Sequence, residues 1–264
     1  TGTAKLAYKL NNDILFYGGY DRGYKSGGYN LDRGSFDTAF LGGNGAQITD
    51  LEFGKETVDS YEVGIKTNIT PQFQFNASAF HTTVKGYQNL QFAGSFFVVN
   101  NFDKLISKGI ELESIFRPAS NLNIALNYTL LDTEVRDTSA GSDNGLPLTN
   151  STRNVITGAV TWTPRISDNV GALFHVDYRV NSDSNTINDA LGVPFTTNDG
   201  YGIVNARAGL NFGPDGNYAI EGYVENLFNT YYNITSFPVP EQSNSYAVYP
   251  APPRFYGVKL KAKF

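Results

Sequence analysis

His81 and His175 are the only imidazoles in the chain, so they are the first places to look for chemistry. His175 sits in VGALFHVDYRV, where a strand would place it on one face with Asp177 and Arg179. That spacing suggests a salt-bridged wall rather than a metal site or a general base. His81 falls where the alternation of residues 73–90 breaks, and it too reads as a polar wall residue. Neither has an obvious partner serine. The HExxH, GxSxG and phosphate-binding glycine patterns are absent. The glycines of SGG (26–28) and GGNG (42–45) supply unusual loop dihedrals. DTSAGSDNG (137–145) is rich in oxygen donors, but it lacks the spacing and closing Glu of a calcium loop and reads as a solvated loop. With no cysteine, disulfides, thiolate metal sites and cysteine nucleophiles are excluded together. No catalytic residue, metal or cofactor is expected. The net charge of −5 argues against nucleic acid as a partner, because phosphate binding needs a basic surface.

The elements that carry these residues are strands. LNIALNYTLL puts Leu122, Ile124, Leu126, Tyr128 and Leu130 on one face and Asn121, Asn123, Ala125, Asn127 and Thr129 on the other. The same design recurs in YEVGIKTNI, VGALFHVDYRV, YGIVNARAGLNF and YAIEGYVEN. No segment has a comparable helical period, and none approaches the ~18 apolar residues of a membrane helix. Short polar turns at 11–13, 70–72, 117–121, 163–169 and 213–217 alternate with long loops near 21–57, 91–107, 137–152, 183–200 and 229–253. About eleven strands result, most close to the ~9–11 residues that cross a bilayer when tilted.

A soluble sandwich could also alternate. It would not sort its connections by length so regularly, and its strands typically run only ~5–6 residues. Charged residues in mid-strand opposite an apolar face fit a transmembrane antiparallel β-barrel with a polar lumen. Its short turns would be periplasmic and its long loops extracellular. The 17 Tyr and 19 Phe then supply interfacial girdles, with Phe73, Phe212, Tyr218 and Phe264 expected at the periplasmic one. The last strand, PRFYGVKLKAKF, alternates Tyr256, Val258, Leu260, Ala262 and Phe264 with Lys259, Lys261 and Lys263. Tyr256, Val258, Leu260 and the final Phe264 resemble the signal read by the bacterial barrel-assembly machinery. The lysines are expected to face the lumen, where Glu221 and Glu225 can meet them, since a lipid-facing lysine costs roughly 2–4 kcal/mol at the midplane.

Five stretches, in order, resemble the TonB-dependent outer-membrane receptors: LFYGGYDRGYKSGGYN (15–30), KETVDSYEVGIKTNI (55–69), SKGIELE (107–113), VENLFNTYY (224–232) and PPRFYGVKLKAKF (252–264). That resemblance implies a barrel of about 22 strands closed by an N-terminal plug. Residues 1–264, with no methionine, are expected to form the C-terminal part of such a barrel. The plug and the remaining strands would come from the same or a separate polypeptide.

The resemblance also implies TonB-driven uptake across the bacterial outer membrane of a scarce nutrient, by default a ferric siderophore and alternatively a glycan, cobalamin or haem. A passive porin or a small autonomous barrel enzyme is the competing reading. The partners implied are the plug, the TonB complex acting through it, the assembly machinery and outer-membrane lipid. Ligand contacts are expected from the loop aromatics Tyr24, Tyr29, Phe36, Phe40, Phe92, Phe96, Phe97, Phe195, Tyr231, Tyr232, Phe237, Tyr246 and Tyr249. Glu62, Lys66, Glu111, Glu113, Asp177, Arg179, Arg207, Glu221 and Glu225 are expected on the lumen wall, where most of them are candidates for holding the plug.

Overall fold

A computed structural model of the chain describes residues 1–32, 48–92, 96–137, 145–187, 196–213, 216–240 and 242–263. Its main sheet runs through eleven strands, each hydrogen-bonded to the next in chain order. They are β1 Gly2–Lys9, β2 Ile14–Lys25, β3 Glu56–Thr70, β4 Phe73–Phe92, β5 Phe97–Ala119 and β6 Leu122–Arg136. The sheet continues with β7 Asn154–Trp162, β8 Val170–Asn181, β9 Tyr201–Phe212, β10 Tyr218–Glu225 and β11 Phe255–Ala262. Every pairing is antiparallel. Among the described residues β1 pairs only with β2 and β11 only with β10, so the sheet is open at both edges.

Local chemistry closes the short turns. The Asn11 side chain accepts from the Asp13 amide at 2.8 Å, and Thr70 Oγ1 accepts from the Gln72 and Phe73 amides at 3.3 and 3.1 Å. Both are side-chain mimics of a backbone turn. The opposite ends differ from the sequence expectation. The long loop expected at 91–107 is mostly strand, because β4 and β5 pair from Phe73–Phe116 out to Phe92–Phe97. Hairpin pairing continues beyond the membrane, where the apolar alternation that marked the strands has stopped.

Cross-strand register sorts the side chains onto two faces. One row of the apolar face reads Ile65, Ala77, Leu112, Tyr128, Ile156 and Val180 from β3 to β8. Another reads Val160, Val176, Ala206, Val224 and Tyr256 from β7 to β11. Large apolar side chains on this face stay open, with Val63 61%, Leu126 47% and Leu260 75% exposed. Water would penalise such a surface, whereas hydrocarbon matches it. At the short-turn end it finishes in aromatic pairs across strands: Phe73–Phe116 at 6.2 Å, Trp162–Phe174 at 5.5 Å and Phe212–Tyr218 at 5.8 Å. Phe264 lies outside the described residues.

The upper limit of the apolar band is visible too. On β5 and β6 it stops at the Lys108–Asp132 ion pair, 3.1 Å long and half-exposed. Eight residues separate Lys108 from Phe116. That is about 27 Å of strand, or about 20 Å of height at a tilt near 40°, close to the ~25 Å band of such barrels.

The packed core is small and lies at the long-loop end. Phe102, Leu105 and Val135 are buried there, with Val84, Tyr87 and Leu148 against them. Val84, Leu105 and Val135 share a row of the polar face, so the segment carrying Leu148 folds over that side of the sheet.

Candidate functional site

The polar face carries the charged residues anticipated from the sequence. Lys66, Asn76, Glu113, Asn127, Thr157 and Arg179 form one cross-strand row over β3 to β8. Gly64, Ser78, Glu111 and Thr129 form the next. Tyr17 lies across Gly64, donates a 2.7 Å hydrogen bond to Glu62 and takes the Lys66 ammonium over its ring at 5.6 Å. Asn76 donates to Glu113 at 3.3 Å. Among the described residues, Lys66, Glu111, Glu113, Arg207, Glu221 and Glu225 form no ion pair within the chain.

Towards the β11 edge of the same polar face a hollow of about 530 Å³ gathers His175, Asp177, Arg207, Glu225 and Lys259. Thr161 meets His175 Nδ1 at 2.7 Å, His175 Nε2 stands 3.5 Å from Asp177, and Asn205 donates to Asp177 at 2.8 Å. The salt-bridged wall expected here needs correcting at Arg179. It donates to Asn181 at 2.9 Å and forms no ion pair with Asp177, whose carboxylate accepts from Asn205 and stands beside His175. Glu225 stands opposite Phe255 rather than a lysine, while Glu221 does stand opposite Lys259.

His81 also differs from expectation. The apolar–polar alternation does break there, with Phe80 on the polar face opposite Glu62, but the strand is continuous, and His81 stands between Tyr61 and Lys108 on the continuation of the apolar face. Polar residues at the band's edge look like a broken period in sequence because the solvent changes, not the geometry.

At the long-loop end two groups of segments are knitted by side chains. In the first, Gln88 donates to the Ser26 and Gly54 carbonyls at 2.8 and 3.0 Å. Asn30 and Val99 exchange hydrogen bonds of 3.0 and 2.7 Å. This group carries the exposed Tyr29 and Phe97, and the half-buried Phe96. In the second, Asn198 donates to the Asn233 carbonyl and accepts from its amide, both at 2.8 Å. The Thr186 and Ser236 hydroxyls meet at 2.7 Å, and all four residues are buried.

The second group surrounds a cavity of about 660 Å³ lined by Asp199, Tyr201, Thr230, Tyr231 and Tyr246. Tyr232 stacks on Tyr201 at 4.4 Å, and Phe237 meets Tyr249 at 5.6 Å in the ribbon pairing Asn233–Pro238 with Tyr246–Pro250. Tyr201 is not among the aromatics the sequence singles out, because it opens a strand; its place at the first position after a long loop is the available signal.

The loop aromatics therefore fall into two clusters rather than one. Tyr24 belongs to neither: β2–β3 pairing runs on to Lys25–Glu56 and holds Tyr24 opposite Thr57. Phe36, Phe40 and Phe195 lie outside the described residues, and Phe92 is described only as the last residue of β4. Tyr256, Val258 and Leu260 of β11 share the apolar face opposite Val224, Gly222 and Ile220.

A one-side-apolar sheet of long antiparallel strands, with charges on its other face and knitted loops at one end, is the wall of a transmembrane β-barrel. Residues 1–227 match the family described as TonB dependent receptor-like, beta-barrel, and the chain belongs to that family. Solved structures share the fold. The ferric yersiniabactin uptake receptor FyuA from Yersinia pestis superposes with a TM-score of 0.79 at 19% identity, over 99% of this chain and 37% of that one. The ferric preacinetobactin receptor BauA from Acinetobacter baumannii gives 0.70 at 17% identity, over 98% and 35%. The copper transporter OprC gives 0.71 at 15% identity, over 99% and 39%. The chain thus spans less than two fifths of these relatives. The family and its neighbours are transport receptors of the bacterial outer membrane rather than enzymes.

Proposed function

We propose that this chain is the C-terminal half of a receptor barrel of about 22 strands and that the complete receptor takes up a ferric siderophore, driven by TonB. The observation that carries the reading is the open sheet. Among the described residues its eleven strands leave two edges unpaired, and unsatisfied backbone groups in hydrocarbon cost several kcal/mol each. A further set of strands relieves that cost. The polar face supports a plug in the lumen, because its exposed carboxylates and cations without ion-pair partners among the described residues are free to meet groups from outside the chain.

In this reading the cavity bounded by Tyr201, Tyr231 and Tyr246 lies among the extracellular loops and suits a flat, polarisable ligand. Uptake of radiolabelled ferric siderophore by cells producing the full-length receptor, with and without TonB, tests the proposal. Saturable uptake that vanishes without TonB is expected. Uptake that persists without TonB would make the protein a passive channel.

A further inference from the structure

We propose that the cavity bounded by Tyr201, Tyr231 and Tyr246 selects a ferric complex of positive or zero net charge, a trihydroxamate with an ammonium arm, and rejects anionic catecholate complexes. The inference rests on the siderophore-uptake reading and goes beyond it by fixing the charge of the ligand.

The sign of the loops that build the cavity carries it. Residues 182–200 hold Asp183, Asp189 and Asp199 and no Lys, Arg or His, and residues 226–253 hold Glu241 and again no cation. Asp199 is exposed and lines the cavity. Gly200 lines it too, and a Cβ there would stand 3.8 Å from the Asp183 amide nitrogen. The backbone therefore brings Asp183, also exposed, to the same edge. Asp189 and Glu241 lie outside the described residues.

The cations nearest in sequence are held elsewhere. Arg179 donates to Asn181 at 2.9 Å and Arg254 to the Leu227 carbonyl at 3.2 Å, and neither lines the cavity. Lys25, Lys85 and Lys104 stand on β2, β4 and β5, so the acidic character belongs to this group of loops and not to the whole rim.

Charge decides among ligands that the tyrosines alone would accept. Three hydroxamates cancel the charge of ferric iron, whereas three catecholates leave a trianion. Hydroxamate chelate rings are flat and polarisable and suit the phenol faces. The cavity offers a trianion no cation, and burying charge without a partner is costly. An ammonium arm meets Asp199 and Asp183, and the same field draws a cationic complex in.

The test uses the full-length receptor in detergent and one linear ferric trihydroxamate in three forms: the free amine (cationic), the N-acetyl form (neutral) and the N-succinyl form (anionic). A ferric tris-catecholate is the fourth probe, and calorimetric titration reads the affinities. Wild type should bind the cationic form about tenfold more tightly than the anionic one, roughly threefold for each unit of charge at an exposed pair. The ratio should shrink as salt is raised. Asp183→Asn with Asp199→Asn should bring it close to unity, and Asp183→Glu with Asp199→Glu should keep it. Heat-modifiable gel mobility shows that each variant is folded. Equal affinities for the three forms in wild type, or tighter binding of the anionic one, would overturn the proposal whether or not the variants fold. Persistence of the full ratio in the Asn variant would also overturn it. Binding of the catecholate alone would overturn it and leave siderophore uptake standing, whereas binding of none of the four would overturn both.

Discussion

The ring of Tyr17 lies directly over Gly64: a Cβ at Gly64 would come within 2.5 Å of the ring. The missing side chain lets Tyr17 cross the sheet to reach Glu62 and to sit beneath the Lys66 ammonium. Gly64→Ala should push the ring away and cost about 1–2 kcal/mol, from one hydrogen bond to a carboxylate and one cation–π contact. Alanine's better fit to a strand offsets roughly 0.5–1 kcal/mol of that. The sign should reverse in a Tyr17→Ala background, where Gly64→Ala should stabilise. Denaturant unfolding of the four proteins in detergent measures the coupling; a coupling near zero would show the contact to be passive.

The reciprocal pair between Asn198 and the Asn233 backbone is buried and spans two loops. Asn198→Ala would strand a buried amide and carbonyl at about 1–3 kcal/mol. That cost should appear locally, since the loops stand apart from the strand ladder. Hydrogen exchange should accelerate across 230–238 while the strands stay protected. Uniform acceleration through the barrel would contradict a local clasp. Loss of siderophore affinity with an unchanged unfolding midpoint is the expected functional counterpart.

The strands and their faces were legible in the sequence because the period-two signal survives wherever one solvent differs from the other. LNIALNYTLL occupies β6 with the expected residues on each face. The signal fails above the membrane, where loop segments cover part of one face and water meets the other: the β4–β5 extension to Phe92 and Phe97 reads as loop, and His81 reads as a break. Pairings between loops, such as Asn198 with Asn233, leave no trace, because a buried asparagine and a turn asparagine are the same letter. Tyr201 and its stacking on Tyr232 are likewise hidden by chain separation.

Glu111 and Glu113 stand on the polar face with no ion-pair partner among the described residues. If they hold a plug, Glu111→Gln with Glu113→Gln in the full receptor should loosen it and raise single-channel ion leak. The barrel itself should melt as before, since exposed carboxylates contribute little to its stability. Unchanged conductance in planar bilayers would remove these two residues from the plug-holding role.

The depth of the sheet in the bilayer is testable by a lysine scan along one column of β5. Ile106, Ile110 and Leu112 share a face, but only the last two lie below the Lys108–Asp132 pair. Leu112→Lys changes a residue near mid-band and should cost roughly 2–4 kcal/mol, whereas Ile106→Lys should cost roughly 0–1 kcal/mol. Ile110→Lys should fall between, because its ammonium can snorkel towards Asp132. Folding free energies of the three variants in phospholipid vesicles would place the interface directly. A steep rise between 106 and 112 sets it at the ion pair. A flat profile would mean that the face meets water throughout, and the barrel's membrane placement on this side would have to be redrawn.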